Sequence, residues 1–188
     1  MHREADYRLR PLVEEDLPLI LEWRNSDRVR QNMYTDHLIT PDEHARWFAA
    51  ARTSERCRYL VFEDSTRPLG FVSFTDVSVA HRRCTWAFYL GETDVQRGTG
   101  SVMELLALDY AFGPLNIRKL CCEVFDFNAS VIKLHKRFGF QEEGVLRQHF
   151  LKGDRYADVV VMARWAESWP ADRAALYSRI FNTTEAAT

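Results

Sequence analysis

Val95-Gln-Arg-Gly-Thr-Gly100 is the stretch of sequence that decides the fold of this chain. It follows a strand-like run at residues 84–90 and opens a helix-like run at residues 101–112. Glycines in such a turn let the backbone approach a ligand closely, and the start of a helix offers unpaired N–H groups and a positive dipole end. The stretch therefore predicts a phosphate site, although the same hexapeptide without this context is an ordinary tight turn.

A second motif follows the glycine turn and runs from Glu123 to the sequence Phe-Gly-Phe140. Residues 120–125 form a short apolar run that predicts a strand. Residues 128–137 predict a helix, with Asn128 as an ordinary N-cap and Gly139 after its end. A strand, a glycine turn, a helix, a strand and a second helix therefore succeed one another.

Composition indicates a globular protein: the 188 residues are 46% hydrophobic and 13% aromatic. Lys and Arg number 25 against 27 Asp and Glu, so the net charge of −2 argues against a dedicated nucleic-acid-binding protein. No apolar run reaches the roughly 18 residues of a membrane helix, and no apolar signal core is present, so we expect a cytoplasmic protein without a membrane span. The spacing of Cys57, Cys84, Cys121 and Cys122 suits neither a metal site nor a disulfide framework, and we expect reduced thiols.

The predicted elements follow the order β-α-α-β-β-β-α-β-α-β-β, which indicates an α/β fold with a mixed sheet. Met103, Leu106, Ala107 and Tyr110 recur at the spacing of one helical face. Residues 25–40 are predicted to be an irregular loop, after which Thr40 caps a helix that reaches about residue 51. We expect a single domain over residues 1–165, followed at residues 166–188 by a C-terminal helix and a flexible tail.

The element order, the glycine turn and the Phe-Gly-Phe helix end together resemble the GNAT acyl-CoA N-acyltransferases over residues 7–163. The resemblance implies a splayed central sheet and acetyl-CoA as cosubstrate, with no metal. Val95 stands where that family usually has Gln or Arg, so the implied phosphate contacts come mainly from the backbone. The cofactor-binding residues that the resemblance implies are Phe88, Tyr89, Leu90, Gln96, Arg97, Gly98, Thr99, Gly100, Ser101 and Asn128.

The front half of the chain resembles, more narrowly, the acetyltransferases of the pseudaminic acid pathway. The residues that carry this resemblance, and that it implies bind the acceptor, are Arg24, Asn25, Tyr34, His44, Ser73 and Thr75. The implied acceptor is the 4-amino group of a UDP-4-amino-4,6-dideoxyhexose, with Arg24, His44 and Thr75 on the nucleotide. Asp76 stands where a relative carries Lys, which leaves Arg28 or Arg30 as candidate replacements.

Several of these residues also have a structural interpretation. Tyr34 and Trp23 either stack on uracil or pack in the core. Ser73 and Thr75 alternate along a strand, a pattern that is also typical of a solvent face.

Glu123 and His135 are the candidate catalytic residues. Glu123 shares a strand face with Cys121 and Phe125, so we expect a desolvated carboxylate whose pKa is raised toward the range of a general base. Its alternative role is a structural Glu at the sheet edge. The resemblance places His135 where GNAT enzymes commonly carry the Tyr that protonates the CoA thiolate; alternatively, it only covers the CoA arm. We expect direct attack by the amine in a ternary complex, because neither Cys121 nor Cys122 has a basic neighbour that would activate it.

Other functions stay open at this level. A GNAT enzyme acting on polyamines or on protein N-termini, including ribosomal proteins, fits residues 81–150 nearly as well, and a non-catalytic acyl-CoA-binding module is the alternative from another class. A carboxylate-rich acceptor cleft favours a polyamine, whereas convergence of Arg24, His44 and Thr75 favours a nucleotide sugar. The splayed sheet of this fold often lets a partner chain dock, so a homodimer is one possible assembly.

Overall fold

The structure of the protein, a computed structural model, describes residues 2–181. Its strands are β1 (Tyr7–Pro11), β2 (Arg58–Asp64), β3 (Pro68–Ser78), β4 (Arg83–Leu90), β5 (Lys119–Phe125), β6 (Gln141–Lys152) and β7 (Arg155–Trp165). Its α-helices are α1 (Leu17–Asn25), α2 (Asp27–Arg30), α3 (Pro41–Ala51), α4 (Thr99–Phe112), α5 (Ala129–Arg137) and α6 (Trp169–Phe181). The predicted α/β class is confirmed, and so is the predicted element order apart from one additional short helix, α2. Residues 182–188, the end of the predicted flexible tail, lie outside the described residues.

The region predicted as an irregular loop contains the short helix α2. Its first turn begins at Asp27, and Val29 is buried, 3% exposed, so that one apolar side chain anchors this turn to the rest of the molecule. The remainder, residues 31–40, lacks regular structure, as expected. The N-cap of α3 is also as predicted, since the Thr40 hydroxyl accepts a hydrogen bond of 3.2 Å from the Glu43 N–H.

The strands form one seven-stranded mixed sheet in the order β1-β2-β3-β4-β5-β7-β6. All neighbours are antiparallel except β4 and β5, which pair in parallel from Arg83–Lys119 to Thr85–Cys121. Beyond that pair, residues 86–90 of β4 have no partner in β5. The sheet is therefore splayed at its centre, and backbone groups along the open side of β4 are available to a ligand.

Helix α4 is buried on more sides than the sequence pattern indicates. Val102, Leu105, Leu108 and Ala111 are fully buried beside the predicted core positions Met103 and Ala107, whereas Leu106 and Tyr110 are only partly buried. The reason is that α6 also packs against α4, and its buried residues Trp169, Leu176 and Phe181 belong to the same core cluster. The indole of Trp169 donates a hydrogen bond of 3.0 Å to Asp109 on α4, which ties the two helices together.

The Phe-Gly-Phe motif ends α5 by a close backbone approach. Gly139 has a φ of 81°, and a Cβ at this position would lie 1.9 Å from Nη1 of Arg164 on β7. Only glycine avoids both the left-handed strain and this clash. Phe138 and Phe140 are buried on either side of it, so the motif fixes α5 against the sheet.

The cysteines are unpaired and mostly shielded from solvent. Cys84 and Cys122 are buried, while Cys57 and Cys121 are half-buried. Burial raises the pKa of Cys84 to about 12 and also raises the pKa values of Cys121 and Cys122. Thiols in this state are poor nucleophiles. Separately, no helix among residues 2–181 is long and apolar enough to cross a membrane.

Candidate active site

Two clefts open on the two sides of the splayed strand β4. The first, called the Arg24 cleft, has a volume of about 330 Å³. It is lined by Ile20, Arg24, Met33, Thr35, Ile39, Glu43, His44, Trp47, Tyr59, Phe71, Ser73, Ala87, Phe88 and Tyr89.

The second, called the His135 cleft, has a volume of about 400 Å³ and lies where β4 and β5 diverge. It is lined by Arg28, Val29, Asn32, Met33, residues 86–90, Gly100, residues 122–125, Asn128, Ser130, Val131, Leu134 and His135. Met33 and residues 87–89 line both clefts. Groups held in the two clefts can therefore meet at the backbone of β4.

The glycine turn presents unpaired donors at the start of α4. Gly98 has a φ of 98°, and its carbonyl accepts the Ser101 N–H at 2.8 Å. Within residues 2–181, the N–H groups of Arg97, Gly98 and Gly100 donate to no protein acceptor. Thr99 is buried and its hydroxyl donates to the Gln96 carbonyl at 2.6 Å, so this side chain shapes the turn rather than facing a ligand. The remaining N–H groups fit the pyrophosphate of a coenzyme A molecule.

Asn128 lines the His135 cleft and is the N-cap residue of α5, where its carbonyl accepts hydrogen bonds from Val131 and Ile132 at 3.1 and 3.2 Å. Its side chain makes no hydrogen bond to the first turn of the helix, and its Oδ1 instead accepts the Ser130 hydroxyl at 3.1 Å. The predicted N-cap position is therefore correct, but the side chain does not supply the capping hydrogen bond. The position in the cleft is compatible with a contact to the pantetheine arm of coenzyme A.

Glu123 lies at the same cleft but is exposed, so the expectation of a desolvated carboxylate is wrong. The reason is that its face of β5 opens onto the cleft instead of packing under a helix. The hydroxyl of Tyr34 donates a hydrogen bond to Oε2 of Glu123. Burial and this carboxylate both raise the pKa of Tyr34, which keeps the phenol protonated as the donor. The Tyr34 ring packs 5.3 Å from Phe125 and 4.9 Å from Phe150.

His135 is buried, 2% exposed, and its ring is held on several sides. The ring centroid lies 4.7 Å from Phe140, 5.3 Å from Trp86 and 5.7 Å from Phe88. Nδ1 lies 2.9 Å from Oε1 of Glu104, a fully buried residue of α4. Sequence reasoning missed Glu104; the signal was an acidic residue within an otherwise apolar run of the helix, residues 102–108. His135 and Glu123 thus line one cleft from opposite elements, α5 and β5.

Arg24 and His44 converge at the Arg24 cleft. Nη2 of Arg24 donates to the Thr35 carbonyl at 2.7 Å, whereas Nη1 has no partner within the described residues. Burial lowers the pKa of Arg24, and the nearby charge of Arg30 adds to the effect. His44 is 6% exposed, and burial followed by the Arg24 charge lowers its pKa. The cleft therefore holds one cationic group and one imidazole biased toward its neutral form.

The aromatic walls of the Arg24 cleft were also missed from sequence. The ring of Trp47 lies 5.0 Å from His44 and 4.9 Å from Tyr59, and Tyr59 lies 5.9 Å from Phe71. Tyr59 pairs with Ser73, and Ser73 with Ala87, so they form one row across three strands. The alternation of Phe71 and Ser73 along β3 was the available signal. Ser73 therefore lines the cleft rather than a solvent face.

Other predicted substrate residues do not line the Arg24 cleft. The Thr75 hydroxyl lies 3.5 Å from the Thr85 carbonyl, beyond the cleft. The Asn25 amide is committed to the backbone of Ile39, with both hydrogen bonds at 2.9 Å. Tyr34 faces Glu123 instead, and Trp23 is a core residue, 4% exposed.

The position expected to carry Lys does not contact this cleft either. Asp76 is exposed, has a φ of 51° and pairs with Arg56 at 3.2 Å. The candidate replacements are also engaged elsewhere: Arg28 donates to the Gly91 carbonyl and Arg30 to the Asp36 carbonyl, both at 2.6 Å. Neither lines the Arg24 cleft.

The acidic character of the site is low. Glu43 is the one carboxylate among the residues that line the Arg24 cleft, and it accepts a hydrogen bond from His37 at 3.0 Å. In the part of the chain that the structure describes, no three His, Cys, Asp or Glu side chains cluster as metal ligands would.

Known proteins resemble this chain in both sequence and structure. The family described as acetyltransferase (GNAT) domain matches residues 7–141. Spermidine N(1)-acetyltransferase of Escherichia coli K12 is 24% identical, over 88% of this chain and 89% of the relative. Acetyltransferase PseH of Campylobacter jejuni is 30% identical, over 69% of this chain and 79% of the relative. The crystal structure of Vibrio cholerae spermidine N-acetyltransferase with CoA and spermine superposes with a TM-score of 0.84. Its sequence identity is 24%, and the match covers 88% of this chain and 99% of that structure.

Proposed function

This chain belongs to the GNAT acetyltransferase family and is an acetyl-CoA-dependent N-acetyltransferase, and from this premise we propose that its acceptor is a UDP-linked 4-amino-4,6-dideoxyhexose. The observation that carries the proposal is that Arg24 and His44 line one cleft whose other lining groups include aromatic rings and, within residues 2–181, a single carboxylate, Glu43. This acceptor is the one implied by the resemblance to the pseudaminic acid pathway enzymes.

The chemistry of the Arg24 cleft suits a nucleotide better than a polycation. An arginine fork binds phosphate oxygens, and Nη1 of Arg24 has no acceptor in the part of the chain that the structure describes. The rings of Trp47 and Tyr59 offer flat apolar faces of the kind on which nucleobases stack. A polyamine carries several positive charges, and the Arg24 guanidinium repels them. We therefore assign the diphosphate to Arg24 and the base to the aromatic walls.

The reaction follows from the meeting of the clefts at β4. The sugar amine must lose its proton to attack a thioester, and the exposed carboxylate of Glu123 is placed to accept it. Beyond Thr85, the groups on the open side of β4 lack a strand partner, so an N–H near residues 88–90 is available to the thioester oxygen. Because burial raises the pKa values of Cys121 and Cys122, a covalent acetyl-cysteine is disfavoured and the amine attacks directly.

A polyamine acceptor is the second candidate. Its support is that the relatives and the solved structure named above include proteins called spermidine acetyltransferases. Aromatic walls such as those of Trp47 and Tyr59 also bind cations through their faces. The charge of Arg24 in the same cleft is the feature that argues against it.

Ligand binding separates the two candidates without requiring turnover. We would measure by calorimetry the binding of UDP and of spermine to the CoA-loaded protein and to its Arg24→Met variant. We expect UDP to bind and its affinity to fall at least 10-fold in Arg24→Met, but to stay unchanged in Arg56→Met, which removes an exposed arginine outside the cleft. The proposal is overturned if spermine binds and UDP does not, or if the affinity for UDP is the same in Arg24→Met as in the wild-type protein.

A further inference from the structure

Glu104 is a buried acid for which the reaction described so far has no role. It lies on α4, the helix that begins at the glycine turn, and it is 0% exposed. Its Oε1 lies 2.9 Å from Nδ1 of His135, while its Oε2 is buried without a hydrogen-bond partner among the described residues. A carboxylate left half-unsatisfied in the core is costly, so its retention calls for a physical reason.

The charged groups around the Glu104–His135 pair do not fully offset the negative charge of an ionised Glu104. The charged groups that act on Glu104 besides His135 are Arg137 on α5 and Arg164 on β7, and the thiol of Cys122 on β5 lies within electrostatic range. Arg164 is already committed to Asp172 at 2.7 Å and to the Gly139 carbonyl at 3.3 Å. Burial raises the pKa of Glu104 despite the opposing effect of His135 and both arginines. Because a net charge on two groups this deeply buried and 2.9 Å apart is costly, the pair as a whole favours a net-neutral state, which holds one proton more than carboxylate plus neutral imidazole.

We propose that Glu104 is a positioning residue that keeps a proton on Nε2 of His135, so that His135 delivers this proton to the departing thiolate. The inference rests on the acetyl-transfer function but not on the identity of the acceptor. In the net-neutral pair the extra proton sits either on Nδ1, giving imidazolium and carboxylate, or on Glu104, giving carboxylic acid and neutral imidazole. In both arrangements Nε2 carries a hydrogen. The imidazolium has hydrogen on both nitrogens, and the neutral imidazole accepts the Glu104 proton at Nδ1 and so keeps its own hydrogen on Nε2.

The proton balance closes within the site. As the amine nitrogen bonds to the acetyl carbon, the C–S bond breaks and sulfur leaves with the bonding electrons. Sulfur takes the Nε2 proton of His135, and any proton on Glu104 moves to Nδ1, leaving carboxylate and neutral imidazole. The amine loses its proton to Glu123 and then to water, and a solvent proton restores the pair. The rings of Trp86 and Phe140 hold the imidazole plane during this exchange.

The first test is the protonation of His135 in the substrate-free protein. Nitrogen-15 NMR of histidine-labelled protein reports whether each ring nitrogen carries hydrogen, and the His135 signals are assigned by their loss in His135→Phe. We expect Nε2 of the wild-type residue to stay protonated across pH 6 to 8. A wild-type spectrum with an unprotonated Nε2 over this range overturns the proposal before any Glu104 variant is made.

The second test changes Glu104. In Glu104→Gln, which is nearly isosteric, the amide cannot hold the shared proton, so we expect the nitrogen-15 spectrum at pH 7 to show a smaller fraction of His135 with hydrogen on Nε2. We also expect kcat to fall 10- to 100-fold with both KM values within threefold. Glu104→Asp should recover part of both effects, and the surface variant Glu142→Gln should change neither. Unchanged Nε2 protonation and kcat in Glu104→Gln show a structural role only. A wrong acceptor, by contrast, leaves the NMR result intact, so the two proposals fail separately.

Discussion

The hydroxyl of Tyr34 donates a hydrogen bond to the carboxylate of Glu123, although 89 residues separate them in sequence. This contact ties the segment between α2 and α3 to the open edge of β5. Nζ of Lys152 reinforces the tie by donating to the Met33 carbonyl at 2.8 Å, and it pairs with Asp36 at 3.3 Å. Because Met33 lines both clefts, the segment forms part of the wall between the proposed acceptor and the cofactor.

Removing the Tyr34 hydroxyl should loosen this segment without unfolding the protein. A hydrogen bond to a charged group contributes about 1.5 kcal/mol or more, so Tyr34→Phe should speed amide exchange at residues 33–36 by about 10-fold. Hydrogen-exchange mass spectrometry measures this. Tyr156→Phe is the matched control, because Tyr156 is 65% exposed and makes no side-chain hydrogen bond among the described residues. Equal exchange in the two variants contradicts the role given to Tyr34.

Glu123→Gln tests the proposed base. We expect kcat near neutral pH to fall about 100-fold, because the acceptor amine then has no positioned proton acceptor. Acetyl-CoA affinity should stay within twofold, and activity should recover partly at high pH, where more of the amine is neutral. Initial rates across pH measure both effects, with the surface variant Glu142→Gln as control. A rate that stays at the wild-type level at every pH removes Glu123 from the mechanism.

The two glycines of the turn should respond differently to alanine. Gly98 has a φ of 98°, and an added Cβ would lie 3.1 Å from His2, so Gly98→Ala should lower the free energy of unfolding by about 1 kcal/mol or more. It should also weaken CoA binding, because the turn must relax. Gly100→Ala is the control, since its Cβ would meet only Leu90, at 3.8 Å, and alanine favours a helix. Thermal unfolding with and without CoA tests the pair; equal effects at both positions refute the strained-turn explanation.

Asp16 should make stability depend on pH. Burial opposes its ionisation, but hydrogen bonds from Arg10 at 2.6 and 2.7 Å and from the Val13 N–H outweigh burial and lower its pKa. A lowered carboxyl pKa stabilises the fold above the unfolded-state value, near 4, and this contribution disappears as pH falls through the folded-state value.

The corresponding variant is Asp16→Asn. At pH 7 it should lose about 2 kcal/mol of unfolding free energy, and the deficit should shrink below about pH 4. Urea unfolding at pH 7 and pH 3 measures the change. Asp94→Asn, which breaks an exposed pair with Arg67, should have little effect at either pH. A deficit at Asp16 that is the same at both pH values contradicts the ion-pair explanation.

Short sequence motifs correctly predicted the helix ends that depend only on neighbouring residues. The glycine turn opens α4, and Thr40 caps α3, because each depends on residues within one or two turns. The splayed sheet followed from the family resemblance. The pattern along α4 predicted only part of its buried surface, since α6 also packs against α4 and the period of one helix does not reveal contacts with a later helix.

Contacts between side chains that are distant in sequence could not be predicted from local sequence patterns. The Glu104–His135 and Tyr34–Glu123 contacts arise only when α4, α5 and β5 pack together. Glu123 was expected to be buried because a strand pattern does not show where a sheet splays. The β3–β4 register shifts after Thr75, where Asp76 has a positive φ, so simple alternation along β3 also ends there.

The acceptor itself is the central claim, and a direct assay of acetyl transfer tests it. The measurement is CoA release, with product mass, from acetyl-CoA and three separate acceptors: the UDP-4-amino-4,6-dideoxyhexose, spermidine and a ribosomal N-terminal peptide. We predict turnover with the nucleotide sugar alone, and a mass increase of one acetyl group on its 4-amino nitrogen. Turnover confined to spermidine or the peptide would contradict the claim while keeping the family, and CoA binding without turnover on any acceptor would indicate a non-catalytic module.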